Sequence, residues 1–147
     1  MTRTVNPDIL ADLQERIDQI SGGSAKKRPH LPFGVEEIDG RLPGGGLAHG
    51  STHEIAGGGA DAITGAASLL FAAGIAARTK GHIIWCLNRT DLFAPALQQA
   101  GLNLNRVIFV ECEKEDSILD SAEEALRFGG LAAVVLEAVR LPMVASR

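Results

Sequence analysis

The sequence predicts a three-layer α/β domain, a parallel sheet with helices on both faces, preceded by one separate helix. Three observations carry this prediction. Strand-like runs at Thr52–Ile55, His82–Leu87, Val107–Val110 and Leu131–Leu136 are separated by helical patterns, and that alternation implies βαβ crossovers. A glycine-rich turn, Ala56–Gly59 and on to Gly65, joins the first run to a long apolar helix. The chain has 147 residues, 46% of them apolar, enough for one domain with a core of its own.

The first element is a helix over Asn6–Ile20. Asn6 suits the N-cap, Pro7 the first helical position, and Asp8 the first turn. Leu10, Leu13, Ile17 and Ile20 recur at three- and four-residue spacing and form a narrow apolar stripe. The Ser21–Ser24 linker behind it isolates the helix, which must fold back on its own domain or dock on a partner; docking is the favoured reading. Lys26, Lys27 and Arg28 follow in the linker. Such a cluster is more often solvated than bound, but it allows a weak contact with nucleic-acid phosphates. The predicted organisation is therefore a docking helix over 1–20, a basic linker over 21–30 and a core over 31–147.

Within the core, Val35, Ile38 and Leu42 mark a short helix, which the Pro43–Gly46 turn ends. The helix from Ala62 to Ala77 carries Leu69, Leu70, Phe71 and Ile75 and is expected to be heavily buried. His82–Leu87, almost continuously apolar, reads as a central parallel strand. Helices around Leu92–Ala100 and over Ser117–Phe128 separate the remaining strands. Glu111, Glu113, Glu115 and Asp116 precede the last helix and suit its positive end. The last βα unit has no room for its helix and returning strand before Arg147, so the core is expected to be incomplete at its C-terminal end.

Composition narrows the function. A net charge of −4 gives no global basic field for nucleic acid. The first residues lack a signal-peptide pattern, and the most apolar helix, at 16 residues, falls short of the ~20 a membrane span needs. A cytoplasmic protein without membrane contact is expected. Cys86 and Cys112 lack metal or redox spacing and read as small hydrophobes. His49 and His53 are four apart but share no helical face. Neither a metal nor a cofactor is expected.

The chemistry turns on the glycine loop. Strand, glycine loop and helix form the scaffold of a phosphate-binding P-loop, in which backbone N–H groups, a Lys and a Ser/Thr hold the phosphates and Mg²⁺. Gly57, Gly58, Gly59, Thr64 and Gly65 supply the scaffold. With Gly65 as the second glycine, Ala66 and Ala67 replace the Lys and the Ser/Thr, and Ala60 stands at the first glycine. From Ala56 to Ala77 the sole charge is Asp61. Two readings stay open: a P-loop that has lost its charged groups, or a glycine turn that was never one. Glu137, closing the last strand, resembles the acidic residue that holds Mg²⁺ in P-loop proteins, where Asp is usual.

Taken together, Leu31 to Glu137 resembles the first part of a RecA-type ATPase core. The residues carrying the resemblance are Gly34, Ile38 and Asp39, the turn into Gly46-Leu47, and the His53-Glu54-Ile55 approach to the loop. More closely, the chain resembles the ImuA family, RecA-like accessory proteins of bacterial damage-induced mutagenesis. The resemblance implies a RecA-like core whose phosphate Lys is Ala66, whose Mg²⁺ hydroxyl is Ala67 and whose Mg²⁺-linked Asp is Glu137. It places the activating glutamate at Asn88-Arg89, and it makes the loop from Gly57 to Gly65 three residues longer than the family's. It also implies an adaptor rather than an enzyme in SOS-induced translesion synthesis. The implied partners are an ImuB-type Y-family-like polymerase and an error-prone replicative polymerase, with RecA or a second copy as further candidates. The rival reading is a RecA-type DNA-repair protein that binds or hydrolyses ATP.

Overall fold

The run Ile83–Leu87 (β3) contains no charged residue, and it becomes the central strand of a three-stranded parallel sheet. The structure, a computed structural model, describes residues 7–20, 28–58, 62–88 and 92–138. Val107–Glu111 (β4) pairs on one side of β3, from Ile83 opposite Val107 to Leu87 opposite Glu111. Ala133–Leu136 (β5) pairs on the other, from Ile83 opposite Ala133 to Cys86 opposite Leu136. Both pairings are parallel, as strand–helix alternation requires.

Side chains alternate across this sheet and make two cores. Ile83, Trp85 and Leu87 meet Ala73 and Ala76 of Ala62–Ala77 (α3) and Leu97 of Ala94–Gln99 (α4). On the opposite face Cys86 packs with Ile118 and Ala122 of Glu115–Phe128 (α5). Helices on both faces give the three layers that the sequence predicts. Burial pushes the Cys86 thiol pKa up, with nearby Cys112 adding to the effect, so Cys86 is the inert small hydrophobe expected of it.

One side chain ties the two ends of this arrangement together. The Arg106 guanidinium donates to the carbonyls of Ala76 (2.9 Å), Ala77 (2.9 Å), Thr79 (2.6 Å) and Gly81 (3.0 Å). These are carbonyls at or just past the C-terminal end of α3, whose partial negative charge attracts a cation; that of Ala76 also accepts from the Thr79 N–H at 3.1 Å and Oγ1 at 2.7 Å. Arg106 therefore locks the start of β4 to the end of α3.

The chain divides into two units, Met1–Glu54 and Ile55–Arg147. In the first, Pro7–Ile20 (α1) is helical as its capping residues predict, with an exposed Asp12–Arg16 ion pair at 3.1 Å. His30–Leu31 (β1) pairs antiparallel with Leu47–Ala48 (β2). Between them lies the short helix Glu36–Asp39 (α2). The Asp39 carboxylate accepts from the backbone N–H groups of Phe33 (2.6 Å) and Gly34 (2.8 Å), fixing the turn into α2. Gly44 sits at φ +75° directly against the His30 ring, a place without room for a Cβ.

Two expectations need correction. Thr52–Ile55 is not a strand: it joins no sheet, and all four residues are exposed. Thr-His-Glu-Ile offers one large apolar side chain, too little to hold a short segment in a ladder without a neighbour. Nor is α3 buried all round. Ile63 is 83% exposed, and Leu70 and Phe71 also reach solvent. Among the described residues, the sheet and α4 cover the side of the helix that holds Ala73 and Ala76.

Candidate functional site

The glycine loop meets the helix that follows it. Gly57 lies against the Thr64 side chain so closely that a Cβ there would overlap the threonine methyl and stand 3.1 Å from Ser68 Oγ. Ser68 Oγ in turn donates to the Thr64 carbonyl at 3.0 Å. Gly57, Thr64 and Ser68 thus form one contact group at the start of α3. Gly58 is exposed, and Gly59 lies outside the described residues.

The glycine spacing allows a second register of the expected motif beside the one based on Gly65. α3 begins at Ala62, so Gly65, Ala66 and Ala67 lie one turn inside it, all three exposed. In a P-loop the second glycine lies five residues after the first and opens the helix. Counting five from Gly57 reaches Ala62, the first described residue of α3. In this register Ile63 takes the Lys position and Thr64 retains the Ser/Thr. The three-residue excess implied by Gly65 disappears. The spacing from Gly57 to Ala62 is legible in the sequence, but Ala62 is not a glycine and Gly65 is.

Either register lacks the cation. Neither Ile63 nor Ala66 carries charge, and no Lys or Arg occurs between Ala56 and Ala77. Arg78, Lys80 and Arg106 belong to the far end of α3. That helix has 16 residues, about 24 Å at ~1.5 Å per residue.

Glu137 follows β5, and its N–H donates to the Cys86 carbonyl at 3.0 Å. Its carboxylate is already engaged, because Oε1 accepts from the Trp85 indole Nε1–H at 2.6 Å. Trp85 is fully buried, and a buried indole N–H needs an acceptor. Nothing in the sequence pairs residues 85 and 137; the pairing arises because β3 and β5 are neighbours. Among the described residues no group of His, Cys, Asp and Glu has the makings of a metal site.

The remaining predicted residues lie elsewhere. On α1, Leu10, Leu13 and Ile17 are about half exposed, as is Ile9, while the Ile20 side chain is outside the description. Lys26 and Lys27 also lie outside the described residues. Arg28 is exposed and donates to Ser51 Oγ at 3.2 Å. Among the described residues no helix is long and apolar enough to cross a membrane.

No protein-family model matches the chain. It is 39% identical over 132 residues to Protein ImuA of Caulobacter vibrioides, in each of two strains. The match covers 87% of this chain and 54% of the relative, so the chain spans about half the length of the curated relatives it matches. With that identity extending over most of its residues, the chain belongs to the ImuA family.

Proposed function

We propose that this chain is the RecA-like part of a non-hydrolysing adaptor in SOS-induced translesion DNA synthesis. The observation that carries the reading is the glycine loop without a cation. Phosphoryl transfer depends on positive charge placed against the transferring oxygens. Here the Lys position is Ile63 or Ala66, and Glu137 is engaged by Trp85. Backbone N–H groups at the start of α3 still suit a weakly held anion.

The RecA-like assignment draws support from two open features. Among the described residues β5 has a neighbour on one side only, and α3 exposes Ile63 and Leu70. A larger parallel sheet in the whole protein would use both.

In this reading the adaptor works by protein contacts in the cytoplasm and touches DNA weakly or indirectly. Its partners are an ImuB-type Y-family-like polymerase and an error-prone replicative polymerase, with RecA or a second copy next in line. The half-exposed stripe of α1 is the docking element. Replacing Leu13 and Ile17 together by Asp is expected to weaken partner binding about tenfold or more, with the melting temperature nearly unchanged. A large loss of core stability, or unaltered binding, contradicts the docking role.

A further inference from the structure

On the α5 side, the helical layer is narrower than the sheet. α5 packs on β5 and β3 and reaches β4 at Val110, which joins the core of Cys86, Ile118 and Ala122. Val107 and Phe109 turn to the α3 face, so alternation turns Ile108 to the α5 face, where it is 52% exposed. Between α5 and the exposed part of β4 runs an open groove of about 570 Å³. Ile84, Val110, Ala125 and Phe128 give it an apolar lining, and Phe128 is 79% exposed. Asp120 and Glu124 supply the charge of the lining, and no cation is part of it. Among the described residues neither carboxylate forms an ion pair, whereas Glu123, outside the lining, holds Arg127 at 2.6 Å.

We propose that this groove receives an amphipathic helix of a partner protein, apolar on the entering face and basic along its flanks. Helices lie side by side on each face of a three-layer domain, and the groove beside α5 offers an apolar floor to another. Helix-in-groove recognition uses apolar anchors one turn apart, which Ile84, Ile108, Val110 and Phe128 would take. Asp120 and Glu124 select the sign of the flanks. The same charges disfavour α1 of a second copy, since that helix carries Asp8, Asp12, Glu15 and Asp18 against Arg16. The inference goes beyond the adaptor reading by adding a surface that does not depend on α1 or on the glycine loop.

The test pans a phage-displayed library of helical peptides on the whole 147-residue chain. Bound peptides should combine an apolar stripe with net positive charge, and their affinity should fall as salt rises. Ile108→Ser and Phe128→Ser alter exposed side chains, so both variants should keep the parent melting curve while losing roughly tenfold or more in affinity. Asp120→Lys with Glu124→Lys should turn the selection towards acidic peptides. Absence of binders, neutral or acidic binders, or affinities indifferent to Ile108 and Phe128 would each overturn the proposal. So would self-association through the groove that disappears when residues 1–20 are deleted.

Discussion

Replacing Glu137 by Ala tests what this carboxylate does. Its Oε1 is 2.6 Å from the indole N–H of Trp85, whose side chain is fully buried. Removing the acceptor leaves a buried donor without a partner, which costs about 1–3 kcal/mol. Glu137 is half-buried, so water can restore part of the bond, and about 2 kcal/mol is expected. For a chain of 147 residues, that lowers the melting temperature by roughly 4–8 °C. Glu137→Gln keeps an acceptor but loses the charge, and about half the loss is expected. Trp85 is the chain's one tryptophan, so its fluorescence reports the contact directly, and the emission should shift in the Ala variant. A double-mutant cycle with Trp85→Phe should give a coupling of about 1–2 kcal/mol. An Ala variant that melts within about 2 °C of the parent, well below the change the bond predicts, would show that the bond contributes little.

Three further substitutions each probe a single contact. Arg106→Ala removes four hydrogen bonds to the carbonyls at the end of α3 and should cost about 2–3 kcal/mol in chemical denaturation; Arg106→Lys should recover only part, because an ammonium lacks the planar fork. Gly44→Ala forces a Cβ at φ +75° against the His30 ring and should cost about 1–2 kcal/mol, read as faster hydrogen exchange in β1 and β2. Ile63→Lys places a cation at the Lys position counted from Gly57 and should tighten pyrophosphate binding severalfold in calorimetry, without turnover. If Ala66→Lys tightens it more, the register based on Gly65 is the right one.

The layers were legible in the sequence because β3, β4 and β5 are short apolar runs between helices of the right length. Period and alternation carry that information locally. Thr52–Ile55 failed for the same reason: a strand with one large apolar side chain takes its place from its neighbours, and the local pattern does not reveal whether they are there. The exposure of α3 was equally hidden, since an apolar helix looks the same whether one side or all sides are covered. At the site, the missing Lys could be read directly, and so could the five-residue spacing from Gly57 to Ala62, but Gly65 offers a glycine in the same stretch and the sequence alone does not choose between the two registers. The Trp85–Glu137 and Arg106–α3 contacts span long sequence separations, and no periodicity announces them. Strand order alone brings the first pair together.

A loop without a cation should not turn over ATP, and on this the adaptor reading stands or falls. The deciding experiment is phosphate release with millimolar Mg-ATP, on this chain and on its full-length counterpart, with the Glu137→Gln variant of each alongside. Release at the level of the buffer is expected for every protein, with no magnesium-dependent rise in melting temperature. Turnover above background that Glu137→Gln abolishes, accompanied by that rise, would show Glu137 serving a metal rather than Trp85. That result would make the protein an ATPase.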